Sequence, residues 1–223
     1  MTSRHALLVL TSHDDLGGVR KTGYFVGEAA HPWKVFSDAG WTVDIVSIAG
    51  GVPPEDGRDE DDPVQVEFLQ DDAVARQLAG TKRLSEVSAT DYDTVYFVGG
   101  HGTMWDFPTD PSVAAVARTI YENDGVVAAV CHGPAALVGI TLGSGRPIVA
   151  GKKVAAFTNA EEEAAGLTDA VPFLLETRLT ELGATVETGP NFTENVVVDG
   201  RLVTGQNPQS AAGVAREVLE VLH

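Results

Sequence analysis

The feature that most constrains the fold is the alternation of short apolar runs with segments of helical spacing. The runs have the length and composition of buried strands and lie at 6–10, 43–48, 94–98, 126–130 and 154–157. Strands that are apolar throughout and alternate with helices indicate a mostly parallel sheet that is covered on both faces. The sequence therefore predicts an α/β protein with three layers, a sheet between two layers of helices.

The C-terminal third of the chain shows helices and one hairpin. Apolar residues recur at helical spacing at 113–120, 171–182 and 211–222, and Gly183 is placed to end the second of these helices. Asp199 and Gly200 separate two short apolar runs, at 196–198 and 202–204, as in a hairpin. We expect one antiparallel pair at that point and a single domain over residues 1–223.

Composition excludes several classes of partner. The 223 residues carry a formal net charge of −17, so the surface repels nucleic acids and anionic membranes. The chain begins without the long apolar core of a signal peptide, and its longest apolar stretch is interrupted by His132 and Pro134. A single cysteine cannot form an internal disulfide, which favours a reducing, cytoplasmic location.

One segment departs from the average composition. Residues 52–63 contain six acidic residues and three prolines. Such a segment is typical of a solvated surface loop, and the alternative is that it shapes the rim of a binding site.

Three unusual clusters follow predicted strands. They are Gly99-Gly100-His101-Gly102, Cys131-His132-Gly133, and Thr158-Asn159 with three glutamates shortly after. In an open α/β sheet, ligands bind beyond the carboxyl ends of the strands. The three clusters therefore predict one shared site at that edge of the sheet.

Cys131 is the candidate nucleophile. It lies between a predicted strand and a helix start at Gly133-Pro134, an arrangement similar to the nucleophile elbow of serine hydrolases. The amides and dipole of a following helix are expected to stabilise a thiolate. The alternative is a small core residue, because free cysteine is often buried.

A cysteine nucleophile needs a base, and the base needs an orienting acid. His132 is the candidate base, and the run Glu161-Glu162-Glu163 is the candidate source of the acid. Each has an ordinary alternative. A lone histidine is commonly a surface or capping residue, and acidic residues are favoured in the first turn of any helix.

The glycine cluster lacks the third glycine of a dinucleotide fingerprint. A glycine pair lets a backbone N–H face the cysteine, and with the amide of His132 it forms a two-donor oxyanion hole. The alternative is a tight turn. Glu28 stands just before the predicted helix that holds Val35 and Phe36, which by itself is an ordinary position for a glutamate.

Four segments resemble the ThiJ/PfpI superfamily, relatives of the class I glutamine amidotransferases with a flavodoxin-like fold, and especially its heat-shock subgroup of glutathione-independent glyoxalases. They are TGYFVGEAAHPWKVFSDAGWTVDIVSIAGG (22–51), DYDTVYFVGGHGTMWDFP (91–108), AAVCHGPAAL (128–137) and DGRLVTGQNPQSA (199–211). The resemblance implies a cofactor-free and metal-free conversion of methylglyoxal, or a similar 2-oxoaldehyde, to the 2-hydroxy acid. It also implies a homodimer.

The same resemblance implies roles for individual residues. Cys131 is the nucleophile, His132 its acid/base partner, and Glu28 a carboxyl that is protonated at rest and hydrogen-bonded to the cysteine. The amides of Gly100 and His132 line the oxyanion hole. The third member of the triad aligns with Glu162, and Glu161 is the fallback.

Gly99 and His101 complete the expected site as substrate-binding residues. Two other function classes remain open at this point. A deglycase or other cysteine hydrolase uses the same residues in a wider cleft. A redox sensor or holding chaperone uses an oxidisable Cys131 without turnover.

Overall fold

The structure, a computed structural model, describes residues 4–223, so the first three residues of the expected domain lie outside the described range. The strands are β1 (His5–Leu10), β2 (Tyr24–Phe25), β3 (Thr42–Ser47), β4 (Glu55–Asp56), β5 (Lys82–Arg83), β6 (Thr94–Phe97), β7 (Val126–Val130), β8 (Lys153–Val154), β9 (Thr185–Val186), β10 (Val196–Asp199) and β11 (Leu202–Gly205). The helices are α1 (Val26–Asp38), α2 (Pro63–Gln70), α3 (Asp72–Leu78), α4 (Thr103–Asp106), α5 (Pro111–Glu122), α6 (Asn159–Ala164), α7 (Leu175–Glu181) and α8 (Ala211–Val221).

Seven strands form one sheet in the order β10-β11-β7-β6-β1-β3-β5. Neighbouring strands are parallel throughout, except that β10 and β11 form an antiparallel pair. The predicted mostly parallel sheet and the predicted C-terminal hairpin are both confirmed. The carboxyl ends of β6 and β7 lie side by side at the centre of this sheet, which places the clusters that follow them at one edge.

Both faces of the sheet are buried, which explains why its strands are apolar throughout. On β1, Leu7 and Val9 belong to one hydrophobic cluster, and Leu8 belongs to another on the opposite face. Buried residues of α5 and α7 pack in the first cluster, and those of α1 and α8 pack in the second. Because successive side chains of a strand point to opposite faces, this division confirms the three-layer arrangement.

The helix ends follow local chemistry. Asp110 accepts hydrogen bonds from the amides of Ser112 and Val113, and Pro111 occupies the first turn of α5, where no N–H is needed. Gly183 follows α7 with a φ of +90°, the left-handed conformation expected of a glycine after a helix. Within residues 4–223, no helix has the length and apolar character needed to cross a bilayer.

The helix predicted over 171–182 is shorter than expected, because α7 begins only at Leu175. Pro172 explains the difference. Proline has no N–H to donate and disfavours the helical conformation of the residue before it. Val171 is nevertheless buried, so its apolar spacing marked a core position outside the helix.

The strand predicted over 154–157 was wrong in extent and in partner. Only Lys153–Val154 forms a strand, and it pairs with β9 outside the large sheet. Beyond it, the amide of Ala155 donates to the hydroxyl of Thr204 (2.8 Å), and that of Phe157 donates to the carbonyl of Cys131 (2.9 Å). These bonds hold an irregular segment beside the end of β7, which brings α6 to the predicted site.

The positions of Val127 and Val198 in the sheet predict that they contribute unequally to the free energy of unfolding. Replacing the fully buried Val127 of β7 by alanine removes two methyl groups and leaves a cavity, so we expect a loss of roughly 2–3 kcal/mol in the free energy of unfolding. Val198 of the edge strand β10 is 40% exposed, and Val198→Ala should cost less than about 1 kcal/mol. Urea denaturation of both variants tests this, and equal losses contradict the assigned topology.

Candidate active site

The backbone turns sharply at Cys131, directly after β7. Its φ is +59°, a left-handed conformation that costs a non-glycine residue on the order of 1–3 kcal/mol and persists only where neighbours enforce it. The neighbours here are Gly205, whose carbonyl accepts from the Cys131 amide at 2.9 Å, and Phe157, whose amide donates to the Cys131 carbonyl. The predicted elbow is therefore present.

The helix expected to start at Gly133-Pro134 is present as a 3₁₀ helix, Gly133–Gly139. The cysteine side chain is buried, with 3% exposure. Burial and the neighbouring carboxyl of Glu28 raise the pKa of the thiol well above its usual range, and the backbone N–H of His132 opposes this only in part. The expected resting thiolate is thus replaced by a protonated thiol, which must lose its proton as it reacts.

Glu28 lies in the first turn of α1 and is fully buried. Neither of its oxygens has a hydrogen-bond partner of normal geometry. Burial raises the pKa of this carboxyl to about 8, and the nearby thiol of Cys131 and amide of Gly99 lower it only slightly in comparison. Glu28 is therefore mostly protonated at neutral pH, which agrees with one part of what the resemblance implied, whereas the implied hydrogen bond to Cys131 does not have normal geometry in the structure.

Gly99 lies behind the Glu28–Cys131 pair and is not among the residues that line the cavity. A Cβ at this position would lie 2.2 Å from Glu28 Oε2, 2.6 Å from the Val130 carbonyl and 3.0 Å from Cys131 Cβ. The expected substrate-binding role of Gly99 is corrected accordingly. The residue is a glycine because the carboxyl and the cysteine need the space that a side chain would occupy.

The three consecutive glutamates differ in how deeply they are buried. Glu161 and Glu162 of α6 are buried and Glu163 is exposed. Glu162 Oε2 lies 2.8 Å from His132 Nε2, so the predicted orienting acid is in place. Glu161 does not contact His132; it accepts hydrogen bonds from Thr158, Phe192 and Asn207 and ties three segments together.

Glu162 also binds a second histidine. Its Oε1 lies 2.9 Å from His101 Nε2, and the rings of His101 and His132 lie with centroids 4.0 Å apart. Burial opposes ionisation of Glu162, but the hydrogen bonds from the two histidines outweigh it and lower the pKa to about 2. An ionised carboxylate only accepts, so each histidine donates from Nε2.

This arrangement determines the tautomer of His132. With its proton on Nε2, the ring presents the lone pair of Nδ1 to Cys131 Sγ, 3.4 Å away. Burial and the neighbouring His101 lower the pKa of His132 to about 4, although Glu162 opposes the shift. His132 is therefore a neutral imidazole at pH 7 and can accept the thiol proton.

One ring nitrogen of His101, one of His132 and a carboxylate oxygen of Glu162 lie within 4.8 Å of one another. Two imidazoles and a carboxylate are ligands that divalent transition metals accept. The sequence did not predict a metal site, whereas residues 4–223 of the structure contain this possible set of metal ligands. The same atoms also satisfy one another by hydrogen bonds, which accounts for the cluster without an ion.

A cavity of about 470 Å³ opens onto these groups. Cys131, His132, Glu28, Gly100 and His101 line it together, so the sequence-predicted clusters do converge. The remaining lining residues are Arg20, Phe25, Asp56, Phe157, Ala165, Leu167, Phe192, Pro208 and Gln209. None of these was assigned to the site individually from the sequence. Phe25, Pro208 and Gln209 lie in segments that carry the family resemblance, and Asp56 lies in the acidic segment offered as a possible rim, but their side chains form no recognisable motif.

The acidic segment 52–63 supplies part of the rim. Asp56 lines the cavity and forms an ion pair with Arg20 at 2.7 Å, while its neighbour Glu55 is exposed. Gly57 directly after it has a φ of +66° and packs so closely on Phe25 that a Cβ would lie 2.1 Å from that ring. The alternative considered for this segment, a rim-shaping loop, therefore describes its central residues.

The fold and this elbow define a class of α/β proteins with a buried cysteine at the turn after a central strand, and comparison with known proteins identifies the family. The sequence profile of the DJ-1/PfpI family matches residues 26–221. The chain belongs to the DJ-1/PfpI family.

Two curated relatives match nearly the whole chain. Glyoxalase 3 of Candida albicans is 37% identical over 96% of this chain and 96% of its own length. The glutathione-independent glyoxalase HSP31 of Saccharomyces cerevisiae is 36% identical over 100% of this chain and 99% of its own. The similarity thus extends well beyond the cysteine motif.

Solved structures give the same result for the fold. The 24 kDa Rapid Encystment Protein of Francisella tularensis is 38% identical, with a TM-score of 0.95 over 99% of both chains. Glyoxalase III of Candida albicans is 31% identical, with a TM-score of 0.88 over 98% of this chain and 97% of its own.

The raised pKa of Glu28 predicts a pH-dependent stability. Its folded pKa of about 8 lies above the ordinary value of 4.5, so its contribution is fully present below pH 4.5 and is lost as pH rises through 8. Relative to Glu28→Gln, the native protein should lose on the order of 3 kcal/mol between pH 5 and pH 8.

Urea melts of both proteins at the two pH values measure this difference. Glu163→Gln is the control, because it makes the same chemical change at a glutamate of α6 that is exposed to solvent. A constant difference between the native protein and Glu28→Gln across this range would show that Glu28 is not the buried, neutral carboxyl described above.

Proposed function

We propose that the protein is a glutathione-independent glyoxalase, an enzyme that converts methylglyoxal or a similar 2-oxoaldehyde to the 2-hydroxy acid. The observation that carries the proposal is the buried thiol of Cys131, flanked by a protonated carboxyl, Glu28, and by a neutral imidazole, His132. The curated relatives named as glyoxalases support it. No external redox cofactor is needed, because the aldehyde carbon is oxidised while the adjacent ketone carbon is reduced.

The first step joins the sulfur to the substrate. The Cys131 sulfur attacks the aldehyde carbon as His132 Nδ1 takes the thiol proton. The protonated carboxyl of Glu28 gives its proton to the aldehyde oxygen, which yields a hemithioacetal and leaves Glu28 ionised. In this proposal the amides of Gly100 and His132 stabilise the oxyanion that forms in between. Both residues line the cavity, and such donors typically contribute about 3–4 kcal/mol each.

The second step moves a hydrogen between the two substrate carbons. A carboxyl with a pKa of about 8 exists in both protonation states near neutral pH, which suits a group that must accept and then donate a proton. The ionised Glu28 takes the proton of the former aldehyde carbon while the imidazolium of His132 gives its proton to the ketone oxygen, which forms an enediol. Glu28 then returns its proton to the former ketone carbon as His132 takes the proton of the other enediol hydroxyl. The product is a thioester on Cys131, and water releases the 2-hydroxy acid.

His101 and Glu162 act as positioning residues. Glu162 holds the Nε2 proton of His132 and thereby keeps Nδ1 free toward the sulfur. His101 shares the same carboxylate and packs on the His132 ring, which limits the orientations that both groups can adopt.

Of the two alternative function classes, the redox sensor makes less use of this geometry. Oxidation of a cysteine follows thiolate character and exposure, and Cys131 has a raised pKa and 3% exposure, which disfavours a redox sensor. A deglycase uses the same residues on a larger substrate and is distinguished by turnover of glycated amines. The single domain, the homodimer and the cytoplasmic location expected above remain proposals, and light scattering of the purified protein tests the dimer.

A direct assay tests the nucleophile. Purified protein with methylglyoxal and no glutathione should form lactate, and Cys131→Ala should form none above background, because no other cysteine exists in the chain. Glu28→Gln should lose most activity, and the exposed Glu163→Gln should retain it. Undiminished lactate formation by Cys131→Ala is the result that removes Cys131 from the reaction.

A second substitution tests the tautomer argument. Glu162→Gln replaces the carboxylate by an amide that no longer selects the Nε2 proton of His132, so we expect kcat to fall about 10²–10⁴-fold with little change in KM. The measurement is steady-state kinetics with methylglyoxal, with Glu163→Gln as the matched control. A change confined to KM would indicate that Glu162 binds substrate instead of orienting the base.

A further inference from the structure

The cavity is much larger than methylglyoxal requires. Its volume of about 470 Å³ falls in the range of roughly 300–1,000 Å³ that is typical of sites for drug-sized ligands. Methylglyoxal has only five non-hydrogen atoms, all of which are needed at the reacting end beside Cys131. The rest of the cavity is therefore available to a substituent on the substrate.

An aromatic wall leads from the reacting end to the mouth. The ring of Phe157 lies 4.3 Å from that of His132, and the ring of Phe192 lies 6.2 Å beyond Phe157, both measured between centroids. Exposure rises along this path from 5% at Phe157 to 44% at Phe192. Phe25, Leu167 and Pro208 add further apolar lining. Such surfaces favour an apolar and especially a planar ligand.

Phe192 is held at the mouth by buried polar groups and not by its own burial. Its φ is +54°, a conformation that is strained for an aromatic residue. Its amide donates to Glu161 Oε1 at 2.8 Å, and Asn207 Nδ2 donates to the same oxygen at 2.9 Å. Asn207 also donates to the carbonyl of Thr193 at 2.8 Å. Fully buried groups therefore keep a half-exposed ring over the cavity at a cost in backbone strain.

The opposite charges of the two ion-paired residues at the rim offset each other. Arg20 and Asp56 form an ion pair at 2.7 Å, so neither presents an unpaired charge to a ligand. A rim without net charge beside an apolar wall favours a neutral substituent over a charged one.

We infer that this site takes 2-oxoaldehydes whose ketone carbon carries a bulky apolar group, aryl glyoxals above all, with Phe192 as a specificity-determining residue. The inference rests on the proposed function and names its substrate class. The balance of the reaction is unchanged: an aryl glyoxal and water give the aryl 2-hydroxy acid, with the aldehyde carbon oxidised and the ketone carbon reduced. The C–S bond to Cys131 forms in the first step and is broken by water in the last.

The test compares kcat/KM for phenylglyoxal and methylglyoxal in the native protein and in two variants of Phe192. We expect the native protein to prefer phenylglyoxal. Phe192→Ala should reduce the ratio of the two kcat/KM values by about 10-fold, whereas Phe192→Leu, which keeps apolar bulk, should reduce it less. Phe173→Ala, at a half-buried phenylalanine outside the cavity, is the control and should leave the ratio unchanged.

Product binding supplies a second readout that does not depend on turnover or on side reactions of phenylglyoxal with arginine. Mandelate should bind the native protein about 10-fold more tightly than lactate in calorimetry, and Phe192→Ala should remove that preference. Equal losses for both aldehydes in Phe192→Ala, or no preference for mandelate, overturn the inference. If neither aldehyde is turned over, the glyoxalase function fails, and the calorimetry still decides whether the aryl subsite exists.

Discussion

The carboxylate of Glu162 is the interaction on which the site depends. It is nearly inaccessible to solvent, yet it stays ionised because His101 and His132 each donate to one of its oxygens. A buried anion is tolerated only when its acceptors are satisfied, and here the N–H groups of two imidazole rings satisfy them. The same hydrogen bond directs the free lone pair of His132 to the sulfur. One short helix, α6, thereby determines the chemistry available at the end of another element, β7.

The second carboxyl group near Cys131, that of Glu28, is protonated instead of ionised. Neither oxygen of Glu28 accepts a hydrogen bond of normal geometry, and the nearby thiol of Cys131 and amide of Gly99 do not offset burial, which keeps the carboxyl protonated. Two buried carboxyl groups near one cysteine thus have opposite protonation states, one with a pKa of about 2 and the other of about 8. That separation assigns them different tasks: an orienting anion and a proton carrier close to neutrality. Gly99 makes the second arrangement possible by leaving space behind the thiol.

Much of this was predictable from local patterns. The apolar run at 126–130 followed by Cys131-His132-Gly133 located the elbow, since a strand of that kind must end at the sheet edge where ligands bind. Glu162 was selected by resemblance; in the structure its hydrogen bond to His132 distinguishes it from Glu161, and its burial distinguishes it from Glu163. The prediction of a resting thiolate was wrong, because the spacing of residues along the chain reveals neither the 3₁₀ conformation of 133–139 nor the burial of the sulfur. The positions of Phe192 and Asp56 in the cavity lining also depend on contacts between distant segments, so the sequence did not identify them individually.

The sequence by itself determined the layered α/β fold and the segment predicted to carry the nucleophile, because continuous apolar runs, helical spacing and a glycine-proline turn act over a few residues. Only the tertiary structure decided how those parts react. Protonation states depend on how deeply a group is buried and on which donors reach it, and both are set by segments distant in the chain. Glu28, Cys131 and Glu162 are ordinary residues in isolation. Their pKa values and the aromatic wall beside them exist only once α1, β7 and α6 meet at one edge of the sheet.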